Sequence, residues 1–278
     1  MKKGINVWSF PAGMSQADCI RLAAKTGYDS IELSLDATGD LSLESTDEQI
    51  IAFRKLADEL GIEISSLATG LYWGTPLSHD DPAIREQAKA TVRFQLKAAK
   101  LLGVDAILVV PGCVNARFIE GCAEMPYDVV YDRALEAMQE LKKDAEEAGV
   151  VIALENVWNK FLLSPLEMRN FIDAVGSDYV KVYFDVGNTQ FIGFPEHWIK
   201  ILGSRIARIH MKDFKEAIGN LDGFCELLEG NVNFPAVMNA LREVGYDGYL
   251  TAEINYIPCE TNRVVEDTFK AMTKIFTY

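Results

Sequence analysis

The sequence has no long apolar run and no leader-like N-terminus. None of its 278 residues belongs to a stretch that approaches the ~20 apolar residues of a membrane-spanning helix. The apolar segment after Met1 is closed by Phe10 and Pro11, which makes it too short for the core of a signal peptide. We therefore expect a soluble, cytoplasmic protein without a membrane partner.

Positive charge is also scarce, because 27 Lys and Arg residues face 41 Asp and Glu residues, for a formal net charge of −14. A surface of that sign repels nucleic-acid phosphates, so no nucleic-acid partner is predicted. The same charge weakly opposes an anionic substrate at long range. Salt screens that repulsion beyond about 8–10 Å, and a local basic pocket can override it.

Cysteine and glycine signatures are missing as well. The five cysteines are odd in number, scattered and without CxxC spacing, which predicts reduced thiols. The chain after the first predicted strand reads Phe10-Pro11-Ala12-Gly13, with no glycine-rich turn. That absence argues against an open dinucleotide-binding sheet.

Strand-like and helical segments alternate along the whole chain. The apolar, β-branched segments predict strands at 5–10, 29–35, 62–68, 105–110, 150–155, 180–185, 206–210 and 249–253. Eight helices follow them, several opened by capping signals such as Thr46 to Gln49, Asp81-Pro82 and Ser164-Pro165. Eight such units in about 250 residues close as a (β/α)8 barrel. We predict an α/β TIM barrel in which residues 1–278 form a single domain.

Four polar residues end four of the later strands: Glu155, Asp185, His210 and Glu253. The carboxyl ends of barrel strands meet on one face, so these side chains are expected to converge. Three carboxylates and one imidazole suit a hard divalent metal. Mn²⁺ is the first choice, with Mg²⁺, Co²⁺ and Zn²⁺ as alternatives.

Each residue taken alone also has a structural interpretation. Glu155 could be a helix cap or a salt-bridge partner, Asp185 before Val-Gly could be a turn residue, and His210 could be a hydrogen-bonded core histidine. Together, however, carboxylates this close repel one another strongly unless a cation lies between them. The combination therefore favours the metal site.

Motifs at these strand ends resemble a known family. They are ALEN (153–156), YFDVGN (183–188), RIHMKD (208–213) and LTAE (250–253), joined by Glu32 in DSIEL and VVPG (109–112). Along essentially its whole length the chain resembles the xylose-isomerase-like TIM-barrel superfamily, in its sugar and sugar-phosphate 3-epimerase and isomerase branch.

The resemblance implies an isomerase of carbohydrate metabolism that acts on a small sugar or sugar phosphate. A metal would bind the carbonyl and the neighbouring hydroxyl of a ketose and stabilise an enediolate. Glu155 and Glu253 would exchange protons with the substrate, while Asp185 and His210 would mainly hold the ion. A single proton-transferring group would instead give an aldose–ketose isomerase. The resemblance also implies a homodimer or homotetramer.

Other functions remain open at this point. A metal-dependent dehydratase or lyase acting on a keto or hydroxy acid would keep the same four ligands. An endonuclease IV-like phosphodiesterase shares the barrel, but its metal cluster draws on several histidines and this chain has three in total.

The chain departs from the tagatose and psicose 3-epimerases at three positions. Asn188, Glu216 and Phe161 stand where those enzymes carry histidine, arginine and a substrate-binding glutamate. The Gly187-Asn188 pair is more similar to pentulose-phosphate 3-epimerases.

Four further residues are candidate substrate contacts. Lys212 and Lys160 could bind an anionic group, Asn188 a hydroxyl, and Trp8 could form an apolar wall. The alternatives are solvated loop lysines, a structural turn asparagine and a packed tryptophan.

Overall fold

The computed structural model describes residues 1–254 and 262–278. Its strands are β1 Lys2–Asn6, β2 Ser30–Ser34, β3 Glu63–Ala68, β4 Ala106–Val109, β5 Val151–Glu155, β6 Val180–Asp185, β7 Ile206–Met211, β8 Asp213–Phe214, β9 Phe224–Cys225 and β10 Tyr249–Ala252. Its helices are α1 Gln16–Thr26, α2 Asp47–Leu60, α3 Pro82–Leu102, α4 Tyr127–Ala148, α5 Pro165–Val175, α6 Val186–Gln190, α7 Pro195–Leu202, α8 Phe234–Glu243 and α9 Arg263–Ile275.

Eight of these strands form a closed parallel barrel in the order β1, β10, β7, β6, β5, β4, β3, β2. The predicted (β/α)8 barrel is confirmed. Strands β5, β6, β7 and β10 are consecutive neighbours in it, so their carboxyl ends form one continuous arc. This arc positions the four predicted metal ligands.

Capping residues place the helices where the sequence predicts them. Thr46 accepts a hydrogen bond from the Gln49 amide and the Gln49 side chain caps Thr46 in return, which completes a capping box. Asp81 and Ser164 cap helices that begin at Pro82 and Pro165.

The first strand differs from its prediction at 5–10, because it runs over Lys2–Asn6 and gives way to a 3₁₀ turn at Val7–Ser9. The Asn6 side chain accepts a hydrogen bond from the Trp8 amide and so ends the strand. The turn carries Trp8 out of the barrel wall to the mouth.

Two small elements were not predicted. A ninth helix, α6, follows β6 directly, because the Asp185 side chain caps it. The long loop after β7 contains the antiparallel pair β8 and β9. The buried Asp213 carboxylate holds this loop by accepting bonds from the amides of Phe214, Gly230 and Val232.

The described helices and cysteines agree with the predictions of no membrane-spanning helix and reduced thiols. Within residues 1–254 and 262–278, no helix is both long and apolar enough to cross a membrane. The four described cysteines are free, and Cys259 lies outside the described residues.

Candidate active site

The four strand-end residues converge at the mouth of the barrel. One ligand atom from each of Glu155, Asp185, His210 and Glu253 lies within 4.8 Å of every other. Opposite ligands at ~2.1 Å from a common ion lie about 4.2 Å apart, so small side-chain movements would complete a coordination shell. His210 Nδ1 lies 2.9 Å from Glu253 Oε2.

A buried glutamate on the opposite wall fixes the histidine ring. His210 Nε2 lies 2.6 Å from Glu32 Oε1, and both side chains are fully buried. Glu32 also accepts hydrogen bonds from Asn6, Ser66 and Tyr183. A proton on Nε2 that is donated to Glu32 leaves the Nδ1 lone pair for a metal, as carboxylate–histidine pairs do in metal enzymes.

The backbone turn after β6 presents Asp185. One carboxylate oxygen, Oδ1, accepts a bond from the Asn188 amide at 2.7 Å, while Asn156 Oδ1 accepts from the Asp185 amide at 2.8 Å. The turn also needs Gly187, because a Cβ there would overlap Lys212 Cβ. Asp185 is therefore a turn aspartate through Oδ1, and its second oxygen, Oδ2, points into the cluster.

The hydrogen bonding of three buried atoms at the centre of the cluster indicates that the cluster could hold a metal ion. Asp185 Oδ2, His210 Nδ1 and Glu253 Oε2 are buried and make no hydrogen bond of good geometry among the described residues. Their nearest charged contacts are Lys212 Nζ, 3.1 Å from Asp185 Oδ2, and the 2.9 Å approach of His210 Nδ1 to Glu253 Oε2. Buried polar atoms are nearly always satisfied, and a cation shared by these three atoms would satisfy all of them. Carboxylate oxygens with one imidazole are also a donor set that divalent metals accept.

The ionisation of the site reflects its crowded negative charge. Burial raises the pKa of Glu155 to about 6 and raises that of Asp185. Burial would also raise the pKa of Glu253, but attraction to Lys212, and to His210 when its ring is protonated, outweighs it and lowers the value to about 2. Positive charge near these carboxylates therefore decides whether they stay ionised.

Lys212 supplies part of that charge from inside the site. Its ammonium Nζ lies 3.1 Å from Asp185 Oδ2 and 2.8 Å from Glu253 Oε1. Burial would lower its pKa, but Asp185, Glu253 and Glu155 outweigh that effect and raise it. Lys212 therefore lies among the candidate metal ligands, and it is not a solvated loop lysine.

A cavity of about 410 Å³ opens above the cluster, and we call it the main cavity. Among the four predicted ligands, Glu155 and Glu253 line it, whereas Asp185 and His210 are fully buried beneath. The predicted contacts Lys212, Asn188 and Trp8 line it too. Aromatic and polar side chains complete its walls, among them Trp73, Trp158, Phe224 and Asp36.

Asn188 and Trp8 also have structural partners. Asn188 Nδ2 donates to the Asn156 carbonyl at 3.0 Å, and Trp8 Nε1 donates to Ser34 Oγ at 3.2 Å. Both side chains are therefore held in place at the cavity wall, which suits a preformed binding surface.

Lys160 lies outside the main cavity and lines a second one of about 440 Å³, which we call the adjoining cavity. Five residues line both cavities and form the wall they share: Phe118, Val157, Trp158, Asn188 and Leu221. The adjoining cavity is mainly apolar, with Arg117 and Lys160 among its polar residues.

Reasoning from the sequence missed the roles of Glu32, Asn156 and Trp158. An acid inside the apolar strand Ser30–Ser34 was the available signal for Glu32, since a buried charge needs a partner. Trp158 donates to the Asn188 carbonyl at 3.0 Å, and Asn156 joins the ends of β5 and β6. Neither contact has a signature in the sequence, because both depend on the barrel bringing distant loops together.

Comparison with known proteins gives the same architecture. A family model described as xylose isomerase-like TIM barrel matches residues 20–275. The L-ribulose-5-phosphate 3-epimerase UlaE of Escherichia coli is 25% identical over 256 residues, which cover 88% of this chain and 84% of that protein.

Two solved structures share the fold along nearly their whole length. D-psicose 3-epimerase with D-tagatose from Clostridium cellulolyticum H10 has a TM-score of 0.82 at 20% identity and covers 100% of this chain and 99% of its own. The IOLI protein, solved with a bound zinc atom, has a TM-score of 0.76 at 19% identity and covers 99% and 96%.

Proposed function

Since the chain belongs to the xylose isomerase-like TIM barrel family, we propose that it is a divalent-metal-dependent isomerase of the ketose 3-epimerase or aldose–ketose type. The epimerase relatives and the metal-ligand cluster support sugar epimerase or isomerase activity. Mn²⁺ remains the first choice of metal, and the zinc atom bound by the structurally similar IOLI protein supports a divalent ion as the cofactor.

The observation that carries this proposal is the division of labour within the ligand set. Asp185 and His210 come from the two inner strands of the arc and are sealed from solvent. Glu155 and Glu253 come from its two outer strands and face the main cavity. Two residues can therefore hold an ion while two others reach a substrate.

The chemistry follows from that arrangement. A divalent cation at these four residues would polarise a ketose carbonyl and stabilise the enediolate that forms when the adjacent carbon loses its proton. Glu155 and Glu253 approach the cavity from opposite ends of the arc, so one can remove the proton and the other can return a proton to the opposite face. Removal and return on opposite faces inverts that carbon. Return to the neighbouring carbon instead interconverts aldose and ketose.

The remaining predicted contacts would position the sugar. Lys212 reaches a substrate oxygen from the cluster side, Asn188 supplies its side-chain oxygen to a hydroxyl, and Trp8 packs against the carbon chain from the opposite wall. Lys160 would reach only a substrate long enough to enter the adjoining cavity.

The test is solvent-deuterium incorporation into a panel of free and phosphorylated ketoses, with Mn²⁺ and with a chelator. Epimerase or isomerase chemistry washes deuterium into the substrate pool only when the metal is present. A dehydratase would instead release a product lighter by one water. Absence of both label and mass change across the panel contradicts the proposal.

A further inference from the structure

We infer that the adjoining cavity is a phosphate subsite, in which Arg117 and Lys160 bind the phosphate of a phosphorylated ketose. This inference rests on the proposed function and adds the substrate class that the metal cluster leaves open. The ligand chemistry is a phosphate monoester on a short polyol chain.

The two cations are available for a ligand. Across the part of the chain that the structure describes, Arg117 is the one arginine without a hydrogen bond or ion pair, and Lys160 has none either. Most other arginines in this acidic chain are paired with carboxylates, for example Arg93 with Glu140 and Arg205 with Asp173. Two unpaired cations on one cavity form a local basic site that can overcome the −14 net charge.

One buried residue joins the two loops that carry these cations. Asn159 is almost fully buried, and its Nδ2 donates to the Gly112 carbonyl at 2.6 Å. Its own carbonyl accepts bonds from the amides of Val114 and Asn115 at 3.0 and 3.2 Å. Asn159 therefore links the loop that carries Arg117 to the loop that carries Lys160, so the two cations do not lie on independent loops.

The backbone around Lys160 is held in an unfavourable conformation. Lys160 and Leu162 have φ angles of 57° and 53°, in the left-handed region that residues other than glycine rarely adopt. The fold enforces this path, because the Leu162 amide donates to the Tyr127 hydroxyl and the Leu163 amide donates to Glu167. Strain enforced in this way is concentrated at ligand sites, where it sets the direction of a side chain.

The shared lining residues place the two cavities side by side, and we infer that one substrate extends from the first into the second. Trp158 and Asn188 line the main cavity beside Glu155 and also line the adjoining cavity. A ketose whose carbonyl end lies at the metal cluster can therefore place its far end beside Arg117 and Lys160. Apolar walls with a few placed cations are the usual make-up of a small-molecule site, and a guanidinium with an ammonium suits a dianionic phosphate.

Calorimetry with ribitol 5-phosphate and ribitol tests this subsite, because neither has a carbonyl and neither can react. We expect wild-type protein to bind the phosphate roughly tenfold or more tightly than the free polyol. Arg117→Gln and Lys160→Gln should each remove most of that preference, and the double variant should abolish it. Lys143→Gln is the matched control, since Lys143 is an exposed lysine on α4 that lies outside both cavities and has no partner among the described residues. All these side chains are exposed, so circular dichroism should show an unchanged fold.

The outcomes separate this inference from the proposed function. Equal affinity for ribitol 5-phosphate and ribitol, or a preference that survives in the double variant, overturns the subsite. Deuterium exchange that is equally fast with free and phosphorylated ketoses in wild-type and double variant also overturns it, while the isomerase proposal stands. Failure of every ketose to exchange, together with a phosphate preference lost in the variants, supports the subsite and contradicts the isomerase proposal.

Discussion

Both ends of the barrel contain buried charged side chains, but these side chains are hydrogen-bonded to different extents. Arg208 and His210 lie two residues apart on β7, so both side chains face the barrel interior. At the amino end, Arg208 donates to the Ser65 and Ala207 carbonyls and pairs with Asp105. At the carboxyl end, His210 Nδ1 has no hydrogen-bond partner among the described residues.

The difference separates structural charge from functional charge. The Arg208 guanidinium has its hydrogen-bond partners within the chain, as expected for a polar group that closes the bottom of a barrel. At the carboxyl end, Asp185 Oδ2 and Glu253 Oε2 make no hydrogen bond among the described residues, and the Lys212 ammonium balances the charge of these two carboxylates only in part. Three carboxylates beside one lysine leave an excess of buried negative charge, which is expensive unless a cation completes the arrangement.

The largest expected effect comes from Glu155→Gln at the carboxyl end. Glutamine keeps the size of the side chain but cannot take a proton, so kcat should fall by about 10²–10⁴-fold. Steady-state kinetics with the best substrate of the ketose panel measure it, and thermal unfolding checks that the fold is intact. Near-normal turnover would remove Glu155 from the mechanism.

Glu32→Gln tests the link between the barrel interior and the metal. Glutamine can turn its amide nitrogen toward His210 Nε2 and disturb the ring orientation that frees Nδ1, so metal affinity should fall about 10–100-fold. Titration of Mn²⁺ into chelator-treated protein measures it. Ser66→Ala is the control, because it removes one hydrogen bond to Glu32 and leaves the His210 contact in place. Equal losses in both variants would argue against an orienting role.

The smallest functional effect is expected from Arg208→Met at the amino end. Loss of its hydrogen bonds should cost about 1–3 kcal/mol in the free energy of unfolding, because the Ser65 and Ala207 carbonyls lose their donors. Asp105 is mostly exposed and stays solvated without its partner. Sites this independent usually add within ~0.5 kcal/mol, so metal affinity should stay within about twofold of wild type. A large loss of metal affinity would show that the two ends are coupled.

Much of the barrel could be predicted because its signals are local. The strand at 180–185 ends at Asp185 as predicted, and Thr46, Asp81 and Ser164 open their helices as their capping patterns indicate. The fold then brings the four separated strand ends into one cluster, and this convergence followed from their positions at the ends of predicted strands.

The remaining features depend on contacts that no local pattern encodes. The first strand ends at Asn6, earlier than predicted, because the Asn6 side chain accepts a hydrogen bond from the Trp8 amide in the next turn. The place of Lys212 between Asp185 and Glu253 requires the close approach at Gly187, and Lys160 lines the adjoining cavity from a left-handed backbone conformation. Such details arise from side chains meeting across loops after the barrel has closed.

The most direct measurement is calorimetric titration of Mn²⁺ into chelator-treated protein, with wild type, Asp185→Asn and Arg208→Met side by side. We predict one ion per chain for wild type and Arg208→Met, and binding reduced beyond detection or by at least about 100-fold for Asp185→Asn, which loses a buried charged ligand. Wild-type protein that binds no divalent ion, or an Asp185→Asn variant that binds it as tightly as wild type, would contradict the assignment of these four residues as a metal centre.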